Sequence, residues 1–266
     1  MHVVVCVKQV PDTTRPWSDP VNDTRISANY PGQVTPGDLA ALECALTLKD
    51  RYEARVTLLC MGPPEAKQAL QHCLAYRADH AVLLSDAALA GSDTFATSYA
   101  LSAAIRRLAA DDAVTLVLCG ERSFDGATGQ TGPGLARQLG WQQITFTLDI
   151  SEVNQGAGTI MAERLLERGR ERVRTQLPAV ITLSAAAPVI RYASLPNLLR
   201  ALRATPEIWT AQDVAAEEAF VGFQGSPTRM QRIFAPPTRA SGEIVVVEQV
   251  GLEAAVTPAL RFMKPL

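Results

Sequence analysis

Val114-Thr115-Leu116-Val117-Leu118-Cys119-Gly120 runs directly into Glu121-Arg122-Ser123-Phe124-Asp125-Gly126-Ala127-Thr128-Gly129-Gln130-Thr131-Gly132. The first part is an apolar run too short for a helix, and residues 114–119 read as a strand buried on both faces. Residues 128–139, closed by Gly140, read as a helix. A strand, a glycine-punctuated loop and a helix in that order make the repeating unit of a parallel sheet. Working outward, the same unit recurs. Residues 2–10, rich in β-branched residues and ending at Pro11, read as one strand, and residues 36–51 as a helix with Leu39, Leu42, Ala45, Leu46 and Lys49 at three- and four-residue steps. Residues 56–61 are a strand closed by Gly62-Pro63-Pro64, residues 65–76 a helix, and residues 81–84 a strand. Residues 92–108 are a helix with an Asp93/Thr94 start, and residues 143–150 another strand.

This alternation predicts an α/β fold, a doubly wound and mostly parallel sheet. In such sheets ligands bind beyond the carboxyl ends of the strands, where the strand order reverses. The candidate site is therefore the set of segments after Val10, Met61, Leu84 and Cys119. Residues 1–187 are expected to form the sheet domain, with residues 179–183 as its last strand. Residues 188–266 carry many Pro and Gly, with short elements only at 195–203 and 207–209. They read as an arm that wraps this subunit or another.

Composition excludes several classes. A net charge of −2 over 266 residues favours neither nucleic acid nor an anionic membrane as partner. Lys8 and Pro11 interrupt the apolar run from Val3, so no signal peptide is expected. No apolar stretch approaches the ~20 residues that span a bilayer. The five cysteines form no C-x-x-C pair, and Cys6, Cys60 and Cys119 lie in strand-like runs, a usage that suits a reducing cytoplasm. His2, His72 and His80 are not at metal-ligand spacing, and no nucleophile–base pairing is evident. No side chain is expected to be catalytic, so a bound cofactor would carry any reaction.

Among the segments at the expected end of the sheet, residues 120–132 are the strongest. Gly120, Gly126, Gly129 and Gly132 let the backbone approach a ligand, a helix N-terminus attracts phosphate, and Thr128 and Thr131 add hydroxyls. The alternative is a flexible turn with a Thr cap. Lys8, at the end of the first strand, either meets an anion or marks where that strand leaves the core. Gly62 after Cys60-Met61 is either a plain turn or a place where a ring lies on the backbone. Arg168, Arg170, Arg172 and Arg174 alternate among Glu163, Glu167 and Glu171, which reads as a solvated, self-paired hairpin or as a partner face.

Seven motifs, in order along residues 3–237, resemble the β subunit of electron-transfer flavoproteins. They are Val7-Lys8-Gln9-Val10-Pro11-Asp12-Thr13; Met61-Gly62-Pro63-Pro64; the helix start Gly91-Ser92-Asp93-Thr94-Phe95-Ala96-Thr97-Ser98-Tyr99; Asp125-Gly126 with Gln130 and Gly132; Leu177-Pro178-Ala179-Val180; Arg191-Tyr192-Ala193-Ser194-Leu195-Pro196; and Gly225-Ser226-Pro227-Thr228. The resemblance implies an adenine-nucleotide α-hydrolase-like sheet in a heterodimer whose α subunit holds one FAD. It implies a second adenine nucleotide in this chain, its phosphates on Asp125, Gly126, Thr128, Gly129, Gln130, Thr131 and Gly132. Cys6, Val7, Lys8, Cys60, Met61, Gly62, Thr94, Thr97 and Gly120 are carried over as further cofactor contacts, largely through backbone. The segment 191–200 resembles the family's recognition loop, with Arg191, Tyr192, Leu195, Pro196 and Leu199 facing an acyl-CoA or other dehydrogenase. Lys8–Thr13 and Ser226-Pro227-Thr228 resemble the nitrogen-fixation-associated, electron-bifurcating branch, which implies FAD in this chain with NAD(H) as electron donor. A one-flavin relay with structural AMP and a stand-alone ATP-binding signalling domain are the alternative readings.

Overall fold

The protein is described by a computed structural model covering residues 1–11, 32–187, 189–229 and 245–262. Its frame is a nine-stranded sheet in the order β11-β5-β4-β1-β6-β10-β7-β8-β9. The strands are β1 His2–Cys6, β4 Arg55–Met61, β5 His80–Leu84, β6 Val114–Gly120, β7 Gln142–Asn154, β8 Thr159–Leu166, β9 Gly169–Gln176, β10 Ala179–Leu183 and β11 Glu207–Trp209. From β11 to β7 every pairing is parallel, and β8 and β9 are antiparallel. β1, β4, β6 and β10 are apolar almost throughout because helices cover both their faces. On one face lie α1 (Pro36–Tyr52) and α2 (Lys67–Leu74), burying Leu42, Leu46 and Leu70. On the other, α3 (Thr94–Asp111) and α4 (Thr131–Leu139) bury Leu101, Ile105 and Leu135. The doubly wound α/β sheet expected from the alternation is the fold observed.

Several boundaries differ from the sequence expectation. The run 2–10 is not one strand: β1 stops at Cys6, and Gln9–Pro11 (β2) pairs instead with Gly32–Val34 (β3) as a separate antiparallel ribbon. The valines cannot reveal that break, because Val7 and Val10 on either side of it are both buried, like Val3 to Val5. The helix expected over 65–76 opens as a 3₁₀ turn at Pro64–Ala66 and is α-helical only from Lys67 to Leu74. The helix expected from residue 128 begins at Thr131. Thr128 therefore lies in the loop, and Gln130 at the N-cap position makes no side-chain capping bond.

β8 and β9 form the expected hairpin. Arg164 pairs with Glu171 and Arg170 with Glu163, while Arg170, Arg172 and Arg174 stay exposed. Of the two destinations open to the arm, residues 207–229 take this chain's own sheet. β11 adds to β5, and Trp209, Val214 and Val221 enter the α3/α4 core. Only 5% of Trp209 is exposed. The Arg107 guanidinium lies 4.3 Å from its ring centroid, and its Nε1 donates to Glu207. Emptying this site, as in Trp209→Ala, should cost about 3 kcal/mol of unfolding free energy in urea titration. A loss below ~1 kcal/mol would mean that β11 only lies on the surface.

Candidate functional site

The chain runs β1, β4, β5 outward on one side of β1 and then returns to place β6 on the other. The crevice at the carboxyl ends of β1 and β6 is therefore the switch point, where connections leave in opposite directions and the sheet opens. Lys8 and Gly120 stand at its two lips. Their backbone N–H groups donate to one carboxylate, that of Asp38, at 3.0 and 3.1 Å. Asp38 is in the first turn of α1, and its own N–H donates to the Thr35 cap hydroxyl. The approach is close: a Cβ on Gly120 would lie 2.6 Å from Asp38 Oδ1 and 2.9 Å from the Gly37 carbonyl carbon, so no side chain fits there.

Beyond Gly120 the loop reaches α4 exposed to solvent over residues 124–128. Left-handed backbone at Ala127 (φ 50°) and Gly129 (φ 67°) curls it, the kind of turn that directs successive amides into one concavity. α4 follows without a side-chain cap, so its first-turn amides remain open to an anion. Gly132, in that turn, is buried against Thr182 and Cys119. The Lys8 ammonium crosses the crevice to the Asp125 carboxylate. Burial would raise that carboxyl, but Lys8, the Ser123 hydroxyl and the Gly126 amide outweigh it and hold it below the ordinary range.

A third wall comes from the start of α3. Thr94 donates to the Gln130 side chain at 3.1 Å, joining α3 to the loop. Asp93 caps α3 through the Phe95 and Ala96 amides, and its other oxygen accepts from the Thr228 amide and hydroxyl. The Ser226 hydroxyl accepts from the Asp93 amide. Desolvation opposes ionisation of Asp93, yet these donors keep its carboxyl below the usual value. The contribution of this strap to stability is thus present above the ordinary carboxylate range and is lost on acidification below it.

The residues singled out from the sequence divide into two places. Lys8, Thr94, Gly120, Asp125, Gly126, Thr128, Gly129, Gln130, Thr131 and Gly132 converge on the crevice. Cys6, Val7 and Cys60 are buried beneath it, leaving only backbone for a ligand. Met61 and Gly62 end β4, where the Gly62 amide is already bonded to Leu84 O, and Thr97 lies one turn into α3. Arg191, Tyr192, Leu195, Pro196 and Leu199 stand apart, against α1 and α2. Arg191 is fixed by Glu43 and Asp50, and Ser194 caps α5 (Leu195–Arg203). Leu195 is 68% exposed, so it does not pack under the arm as a helix staple. Asp38 was not singled out, and Asp93, Ser226 and Thr228 entered only as members of motifs, not as contacts of the site. The acid in the first turn of Thr35-Pro36-Gly37-Asp38 was the available signal for the first, and tertiary contact alone reveals the Asp93–Thr228 link. Among the described residues, no group of three or more His, Cys, Asp or Glu is placed to hold a metal ion. No described helix is long and apolar enough to cross a membrane.

The family model for the electron transfer flavoprotein domain matches residues 24–214. Protein FixA of Bradyrhizobium diazoefficiens is 42% identical over 261 residues, covering 97% of this chain and 88% of its own. FixA of Azotobacter vinelandii is 42% identical over 241 residues, covering 90% of this chain and 86% of its own. The electron transfer flavoprotein subunit beta of Megasphaera elsdenii is 42% identical over 260 residues, covering 96% and 95%.

Proposed function

The chain belongs to the electron transfer flavoprotein family, and from that premise we propose that it is the β subunit of a heterodimer that binds FAD at the β1/β6 crevice. The observation that carries this reading is the loop 120–132. It presents curled backbone, an uncapped helix start and a glycine lip at the switch point. Such a surface suits a pyrophosphate held by amides. Gly129, Gln130, Thr131 and Gly132 would hold the phosphates, with Lys8 as the neighbouring cation and Thr94 orienting the Gln130 amide. The flavin, when bound, supplies hydride and single-electron exchange, taking electrons from NADH or a dehydrogenase and passing them to other carriers. The protein's own residues bind, orient and shield it.

The choice of FAD over a structural AMP rests on the Lys8–Thr13 and Ser226-Pro227-Thr228 segments, which resemble the branch that holds FAD in this subunit. The α subunit supplies the second flavin. The α5 segment, with Tyr192, Leu195 and Leu199 exposed, is the surface offered to a dehydrogenase. Five buried free cysteines suit a cytoplasmic setting. The test is the flavin content of the complex co-purified with its α subunit. Two flavins per heterodimer is the expected result. One flavin with one AMP would replace FAD by AMP at this site, and a complex with neither nucleotide in this chain would overturn the reading.

A further inference from the structure

The β1–β6 ladder ends at the pair Cys6 and Cys119. One residue further on, Gly120, and two further on, Lys8, donate their amide N–H groups to the two oxygens of Asp38 instead of to a carbonyl across the ladder. A single carboxylate thus continues the ladder past its end, at the point where both strands enter the crevice. What leaves those two positions is the site itself: the Lys8 side chain reaches Asp125, and Gly120 begins the curled loop. We propose that Asp38 is a positioning residue that makes nucleotide binding acid-sensitive: its carboxylate holds the lips of the crevice at the spacing the ligand needs, and protonation releases one of them. This inference rests on the adenine-nucleotide reading given above.

The chemistry follows from the inventory of acceptors. An ionised carboxylate accepts at both oxygens, whereas a carboxylic acid presents a hydroxyl at one of them, so one of the two amides loses its partner. Burial pushes the Asp38 carboxyl up to about 6, against the opposing pull of the Lys8 and Gly120 amides, the Thr35 hydroxyl and the Lys8 charge. The charge of Asp38 acts on the thiols of Cys6, Cys60, Cys73 and Cys119 on β1, β4, α2 and β6, all raised chiefly by burial and therefore neutral in acid. Lys8 is the facing cation. Asp125 touches it only through Lys8, and Glu121, next to Gly120, pairs with Arg122. The sign separates this role from a structural one. An acid whose folded value is raised holds its proton more tightly in the folded chain. Between its ordinary range and about 6, acidification through Asp38 therefore stabilises the fold while it weakens the ligand.

The experiment compares wild type and Asp38→Asn, each as the full chain in complex with its α subunit. FAD is titrated calorimetrically between pH 5 and 8, a range in which its pyrophosphate does not change charge. Wild type should lose about tenfold in affinity from pH 7.5 to 5, the weight of one hydrogen bond to a charged group. Asp38→Asn, with one acceptor oxygen left, should bind more weakly at pH 7.5 and show no such slope. Parallel slopes in the two proteins would overturn the proposal. Absence of FAD binding by wild type at pH 7.5 would instead overturn the nucleotide reading beneath it. If the Asn variant does not fold, the Lys8 and Gly120 amide resonances of wild type decide the matter. They should shift together with a midpoint near 6, and fixed resonances would overturn the proposal.

Discussion

Gly129→Glu is expected to yield a folded subunit that purifies without its nucleotide. Gly129 stands at φ 67°, and a Cβ there would lie 3.4 Å from the Glu121 carbonyl oxygen. The space therefore admits a side chain, but the backbone resists one by about 1 kcal/mol. Most of the effect comes from charge. A carboxylate about 4 Å from a bound phosphate repels it by about 4 kcal/mol at an effective dielectric of about 20, on the order of a thousandfold in affinity. Gly129→Ala carries the strain without the charge, so it should keep most of its nucleotide. The check is nucleotide content by absorbance and chromatography of both variants, with melting curves alongside. Retention of nucleotide by Gly129→Glu would remove the loop from the phosphate site.

Leu195→Ala should slow electron delivery between the flavoprotein and its dehydrogenase by about thirtyfold, as a lost interface anchor worth about 2 kcal/mol does. The side chain is 68% exposed at the start of α5, beside a fully exposed Tyr192 and with Leu199 and Leu202 also open to solvent. Its neighbours hold the segment without covering it: Arg191 is clamped by Glu43 and Asp50, and Ala201 seats α5 against the body. Truncation therefore costs the isolated fold less than about 0.5 kcal/mol, and melting temperature and nucleotide content should match wild type. Stopped-flow electron transfer measured against dehydrogenase concentration separates docking from the chemical step. Unchanged transfer would show that the exposed leucine face serves something other than the dehydrogenase.

The two variants also show where the sequence was legible. The loop could be found because glycine spacing after a buried strand is a local property, and so is the polar start of the helix that follows. Leu195 was reached through the resemblance of residues 191–200 to the family's recognition loop, because Pro196 and the small Ala193 and Ser194 fit an exposed leucine and one packed under the arm equally well. The strand boundary inside residues 2–10 could not be found. Val7 and Val10 are as apolar as Val3, and only the partner strand decides that β1 stops at Cys6 while residues 9–11 pair elsewhere. The true start of α4 was hidden for a related reason. Thr128 resembles a cap, but the loop needs its left-handed residues at 127 and 129 to turn first.

The sequence by itself determined the layers and the alternation of strand and helix, and it pointed to the end of the sheet where a ligand is expected. These follow from hydrophobic period and from the handedness of parallel connections, both encoded residue by residue. Tertiary structure alone decided the strand order that makes β1 and β6 neighbours, and the return of residues 207–229 to this chain's own core. It also decided that Asp38, some thirty residues after Lys8 and some eighty before Gly120, bonds to both. Contacts of that range depend on how loops close and on which buried polar groups find partners, and no local pattern in the chain records either.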